Sequence, residues 1–331
     1  MDIFFTLDYE IYSGDNPGTP QKCMIEPSDA LIRIGDKYGV KFVFFVDIGY
    51  ILKLGEYRHK YSTADHDYKI ILDQIESVLK EGHDVQLHIH PHWEDCRYTS
   101  DGWQMDTHRF SLLNFNEQEI EEIVTRYTIG LRDIAGENVF AYRAGGWCMQ
   151  PFNRLYHSLK ENSVWLDSTV YQEGYHHSDT HFFDFRGAPA KTEWRFEEDP
   201  LIEVENGYFT EVPIASYRVN PLFFWKYAFS KKLSKGVHKP FGDGQALPAA
   251  KSDLIYMLTR FSHSVVSIDG YKSSFLHKAL NKYMKEYGEG NFVTIGHPKG
   301  ITPYSLQKLE YFLAANRGKH NFTTFIEKYS N

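Results

Sequence analysis

Cysteine is scarce: Cys23, Cys96 and Cys148 are three in 331 residues, an odd number with no close pairing. That excludes a disulfide framework and suits a reducing compartment. Positive charge is short too. Lys and Arg number 36 against 44 Asp and Glu, a net charge of −8, whereas duplex nucleic acid calls for a basic face that displaces counterions. Long apolar runs are missing, and the opening "MDIFFTLDYE" has neither a basic start nor an extended hydrophobic stretch. The expectation is no secretion signal, no membrane span and a cytoplasmic protein. What is present is material for a large core, 42% apolar and 16% aromatic, so the expected partner is a small molecule or glycan.

Short apolar runs alternate with helical periodicity. Ile3 to Leu7 and "KFVFFV" (41–46) read as buried strands, with a helix between them over "EPSDALIRIGDKYG" that stops at Gly39. The pattern recurs as helix "DHDYKIILDQIESVLKEGHD" and strand "DVQLHIH", helix "NEQEIEEIVTRYTIGLRDIAGE" and strand "NVFAYR", helix "PFNRLYHSLKEN" and strand "SVWL". It resumes near the end as helix "SSFLHKALNKYMKEYGEG" and strand "NFVTIGHP". Such alternation predicts an α/β fold of parallel strands with crossover helices, barrel-like or open. A single domain over 1–331 follows, with insertions at about 94–115 and 171–263, the second holding a β-hairpin in "TEWRFEEDPLIEVENGYFTEVPIAS" and a helix in "PLFFWKYAFSKKLSKG".

In parallel α/β sheets, sites form at the carboxyl ends of strands, where the crossover loops open. Four strand ends carry chemistry. Asp8 and Glu10 lie two apart and so face one side, where two desolvated carboxylates repel unless a cation joins them. "QLHIHPHW" supplies His88, His90 and His92; imidazole is the commonest nitrogen ligand for zinc, and catalytic zinc takes three protein ligands and leaves one position for water. "YRAGGW" brings Arg143, able to hold Asp8 ionised, and Gly145–Gly146, where bare backbone N–H groups can approach a ligand. "TIGHPKG" places His297 where it could donate a proton. Taken singly, each has an ordinary structural reading. A solvated first turn, a core histidine or a helix-entry glycine would do.

Together and in this chain order they resemble the polysaccharide deacetylases, the NodB-homology or carbohydrate esterase family 4 domain. The family's Thr-Phe-Asp-Asp-Gly is similar to Thr6-Leu7-Asp8-Tyr9-Glu10, which puts the catalytic base on Asp8 and the metal-binding second aspartate on Tyr9, with Glu10 as its substitute. The histidine motif resembles Gly82-His83 followed by His88 to His92, so His88 and His92 carry over as ligands by spacing; His90 is the rival for the third place. The arginine motif is similar to Arg143-Ala144-Gly145-Gly146-Trp147 without its proline, and implies that backbone near Gly146 helps hold the oxyanion. "WLDSTVY" resembles the fourth motif through Asp167, which would orient the histidine, and His297 matches the general acid.

The resemblance implies a NodB-like distorted (β/α) barrel with inserted loop and hairpin segments. It also implies one divalent ion, zinc by preference, and removal of an N-acyl group from an amino sugar. Without an export signal, a nucleotide- or lipid-linked sugar is expected, and the "QLHIHPHW" form is similar to WbmS-like deacetylases of surface-polysaccharide biosynthesis. Trp93, Trp103, Trp147, Tyr171 and Trp194 are the aromatics that could stack on sugar faces, although core packing competes for most of them. Deformylation or hydrolysis of a small cyclic amide fits the same residues. A glycan-binding module that has lost catalysis is the non-enzymatic alternative.

Overall fold

The computed structural model describes residues 1–178, 180–234, 236–246 and 251–330. Its main sheet is built from β1 (Asp2–Tyr9), β2 (Val43–Asp47), β3 (Asp84–Ile89), β4 (Ala141–Ala144), β5 (Leu166–Asp167), β6 (Trp194–Phe196), β7 (Phe209–Glu211), β8 (Asn291–Gly296) and β9 (Asn321–Phe322). The spatial order is β6-β7-β5-β4-β3-β2-β1-β8, with β9 also pairing β1. Every pairing in it is parallel except β6 with β7. Isolated bridges from Ile214 to both Tyr171 and Val293 curl the far side of the sheet round to β8, giving the distorted barrel.

Helices cross between strands: α1 (Glu26–Tyr38), α2 (Ile48–Tyr57), α3 (Ser62–Lys80), α4 (Glu117–Ala135), α5 (Asn153–Glu161), α6 (Pro221–Leu233), α7 (Lys251–Thr259), α8 (Leu276–Tyr287) and α9 (Pro303–Asn316), of which α1, α3, α4, α5, α6 and α8 are those the sequence pattern predicts. Gly39 ends α1 at φ 70°, a left-handed conformation that favours glycine. Asn116 and Glu119 form the capping box that starts α4. Helix α2 was not expected from the pattern; Ile48, Ile51 and Leu54 bury one face of it immediately after β2.

Segment 171–263 does not all lie outside the sheet. Its hairpin forms, Trp194 opposite Glu211, but β7 then pairs with β5 and extends the barrel wall. Segment 94–115 holds a small hairpin, Arg97–Thr99 with Gly102–Gln104, and buries Leu112 and Phe115.

The strand period of two explains where the site sits. On β1, Ile3, Phe5, Leu7 and Tyr9 face the helices, while Phe4 faces inward with Val43, Phe45, Ala141, Leu166 and Val293. Phe325 belongs to the same inner cluster. Continuing inward along each strand, Phe4 leads through Thr6 to Asp8, Phe45 to Asp47, and Ala141 to Arg143. The barrel is apolar at one end and ionisable at the other.

Candidate active site

Register brings the strand ends level. Leu7 pairs with Gly296, Tyr9 with Val46, Asp47 with His88, and His88 with Arg143. Asp8, Glu10, His88, His90, Gly146, Trp147 and His297 therefore line one cavity of about 320 Å³. Tyr9 turns the other way and donates its hydroxyl to Gln74 of α3 at 2.6 Å. Where the resemblance places a second aspartate, this chain has a core tyrosine.

Arg143 is fully buried. Its guanidinium donates to Asp8 Oδ1 at 2.7 Å, Thr6 Oγ1 at 2.8 Å, the Ser168 carbonyl at 2.7 Å and Ser168 Oγ at 3.1 Å, and it lies 4.1 Å over the Phe45 ring. A buried cation this fully bonded is a fixed counter-charge for Asp8.

Glu10 is the hub. Its Oε2 lies 2.6 Å from His90 Nε2 and 3.4 Å from His88 Nε2, and its Oε1 accepts from Lys299 Nζ at 2.9 Å. Burial raises its pKa, but the charges of Lys299 and His90 and the approach of both imidazoles outweigh that and hold the carboxyl well below the usual range. His88 Nδ1 donates to the Arg143 carbonyl at 2.8 Å, which turns Nε2 toward the carboxylate; burial lowers the His88 pKa, but the charges of Asp8, Glu10 and Asp47 and the bond to Glu10 outweigh that and raise it. Despite the short contact to His90, Glu10 Oε2 has no aligned hydrogen-bond partner among the described residues. Two imidazole nitrogens and a carboxylate converging on one point suit a cation placed between them. One ligand atom each from Glu10, His88 and His90 falls within 4.8 Å of the others, a donor set that fits a divalent ion.

The second histidine of that group is His90, not His92. Strand β3 runs to Ile89, so residues 88 and 90 share a face and their rings approach to 4.8 Å. A 3₁₀ turn begins at Pro91 and carries His92 into an aromatic layer, stacked on Phe110 at 5.4 Å and against Trp93 at 5.0 Å. Burial, and then the charge of His90, press its pKa well below the imidazole range, and neither of its ring nitrogens has a partner among the described residues. Gly145 makes room for His90: a Cβ there would meet the ring Nδ1 and the Ile89 carbonyl, each at 2.6 Å. His83, from the Gly-His pair, accepts the Phe42 N–H at 2.9 Å, and burial pushes its pKa down to about 4.

His297 is half-buried at the cavity wall, Nε2 at 3.5 Å from Asp8 Oδ2 and 3.9 Å from Glu10 Oε1. Burial lowers its pKa, but Asp269 and the charges of Asp8 and Glu10 outweigh this and raise it. The acid that orients this ring is Asp269, whose Oδ2 lies 3.0 Å from Nδ1 and accepts the His297 backbone N–H at 2.8 Å. Asp167 does not have that role. It accepts from Thr169 N at 2.8 Å and Thr169 Oγ1 at 2.9 Å and faces Glu211 across β5 and β7, because Leu166 takes the inward face of β5 and its neighbour Asp167 the opposite one.

Of the aromatics singled out, Trp147 lines the cavity. Trp93 and Trp194 are core residues bonded to Asp47 and the Pro200 carbonyl, and Trp103 packs on Tyr50 and Trp93. Phe110, His181 and Lys299 also line the cavity and were not picked out as site residues; Gly146, at φ 60°, allows Phe110 and His181 to approach. A usable signal for Lys299 was its place two residues after His297, the same spacing as Asp8 to Glu10. Phe110 and His181 come from irregular loops, where no periodicity points inward.

No protein-family model and no curated protein matches the chain. Among solved structures it is similar to a protein described as a polysaccharide deacetylase from Mycobacterium smegmatis, at 16% identity and TM-score 0.51, over 99% of this chain and 88% of that one. It is similar to Puue allantoinase to the same degree, 12% identity and TM-score 0.51, over 98% and 88%. No helix among the described residues is long and apolar enough to cross a membrane. The chain has the polysaccharide deacetylase fold, with a candidate metal-binding group at the carboxyl ends of its strands.

Proposed function

We propose that the chain is a metal-dependent hydrolase that removes an N-acyl group, acetyl in the first instance, from an amino sugar. The observation that carries this is the Glu10–His88–His90 group, which shares one cavity with Asp8, paired to Arg143 behind it, and His297, paired to Asp269. Glu10, His88 and His90 would hold the ion, zinc by its preference for imidazole with carboxylate. A bound ion of this kind lowers the pKa of a water to about 7 and polarises a carbonyl.

Asp8 takes the proton of the attacking water, its charge fixed by Arg143. The bare backbone at Gly146 lies against the cavity, suited to receiving the carbonyl oxygen as it gains charge. His297, its ring held by Asp269, protonates the nitrogen as the C–N bond breaks, so that a neutral amine leaves rather than an amide anion. Lys299 keeps Glu10 ionised for its ligand role.

A cavity of about 320 Å³ is at the small end for ligand sites and suits one sugar unit, with Trp147 available for a sugar face. We favour a nucleotide- or lipid-linked N-acetylated sugar. The test is amine release by metal-loaded protein from a panel of such sugars, with N-formyl sugars and small cyclic amides included because an allantoinase shares the fold. Release from an N-acetyl sugar supports the reading. Sugar binding without release from any member would replace it with a glycan-binding module.

A further inference from the structure

Helix α6 is apolar on two faces, and the protein covers one of them. Phe223 and Tyr227 face inward, Phe223 at 5.4 Å from Phe275 and Tyr227 stacked at 5.1 Å on Tyr271. Leu222, Trp225, Phe229 and Leu233, spaced three, four and four apart, form a second stripe on the opposite face. They are 64%, 46%, 61% and 84% exposed. Helix α7 leans on α6, its Leu258 carbonyl accepting the Trp225 indole N–H at 3.1 Å, and adds exposed Leu254, Ile255 and Tyr256. A monomer rarely leaves so continuous an apolar face to water.

Charge indicates what covers it. From Pro221 to Phe261 the sequence has seven Lys and Arg against two Asp and Glu, +5, within a chain of −8. Lys226 and Lys232 flank the stripe by helical spacing, and Lys231, Lys232 and Lys239 line a neighbouring cleft of about 750 Å³. A second copy docking by the same face would bring two positive patches together. An anionic surface would attract this patch and repel the acidic remainder, orienting the molecule.

We propose that α6 and α7 form a docking surface for an anionic lipid bilayer, with the stripe of Leu222, Trp225, Phe229 and Leu233 seated among the acyl chains and the flanking lysines on the headgroups. This is the arrangement of an interfacial helix lying in the membrane plane, and it requires no spanning segment. The chain after α6 leads to the catalytic cavity: Phe241 N–H donates to the Ile301 carbonyl at 2.9 Å, Gly242 N–H to the Lys299 carbonyl at 3.1 Å, and Ala246 lines the cavity itself. Resting on the deacylase reading, the surface favours a lipid-linked sugar as substrate.

The experiment is co-sedimentation of the full chain with vesicles of phosphatidylcholine alone and of phosphatidylcholine mixed with phosphatidylglycerol. Binding to the mixed vesicles alone, reversed by high salt, is expected. Lys226→Gln with Lys232→Gln lowers the partition coefficient about thirty-fold, and Phe229→Ser with Leu233→Ser at least about ten-fold. Far-UV circular dichroism and turnover of a water-soluble substrate stay unchanged in both, so failure here is separable from failure of the deacylase reading. Absence of binding to anionic vesicles overturns the proposal, as does binding that both double variants retain. Concentration-dependent self-association abolished by the serine variant, without vesicle binding, would assign the stripe to a second copy and overturn it equally.

Discussion

Two pairs of buried carboxylates sit in one barrel wall and are managed in opposite ways. Asp8 and Glu10 meet Arg143, Lys299, His88 and His90, and Glu10 is held well below the usual carboxylate range. Asp167 and Glu211 face each other between β5 and β7, bonded to Thr169 and to the Val170 N–H respectively. Burial, with the charge of Asp167 added, drives Glu211 well above its ordinary value, and burial raises Asp167 as well. The same residue types, all buried, respond in opposite directions: Glu10 is pushed down where cations converge, and Asp167 and Glu211 are pushed up. Counter-charge, not depth, separates the chemical pair from the structural one.

The largest effect belongs to the pair that faces the cations. Asp8→Asn keeps shape and removes the base, and kcat is expected to fall ~10²–10⁴-fold with folding and metal content unchanged. Turnover near wild type would mean that the base lies elsewhere. Next, Arg143→Met leaves Asp8 buried without its partner, at a cost of about 3–5 kcal/mol in urea unfolding. A loss below about 1 kcal/mol would show that Asp8 does not depend on this cation.

The raised pair is sharpened by pH. Glu211 has a folded pKa above its unfolded value of about 4.3, so the folded state holds the extra proton and stability falls as pH rises from about 4 toward the folded pKa. Glu211→Gln has no proton to lose. Its stability relative to wild type should therefore grow with pH, by up to about 1.4 kcal/mol per unit across that window. Parallel curves for the two proteins would contradict a retained proton. Smallest of all, His92→Phe keeps the stack on Phe110 and Trp93 and should cost less than about 1.5 kcal/mol, with metal content unchanged.

The alternation of helix and strand was legible because each element buries one face, and so was the level at which Asp8, Glu10, His88, Arg143 and His297 meet. Motif spacing misled at His92, since counting four residues assumes a path that Pro91 diverts. It misled again at Asp167, whose proximity in sequence to a motif says nothing of which face of the strand it takes. Asp269 and Lys299 reach the cavity from the last repeat, and only the β1–β8 pairing puts them beside Asp8 and Glu10. Tyr9 and Glu10 were the informative departure: Tyr9 turns to Gln74, and Glu10, two residues after Asp8, lines the cavity with it.

Metal analysis of wild type beside His90→Ala and His92→Phe tests the central claim most directly. About one tightly bound divalent ion per chain is expected in wild type and in His92→Phe, and loss of it in His90→Ala. Wild-type protein that takes up no ion after dialysis against zinc, or a His90→Ala variant that keeps it, would contradict the account.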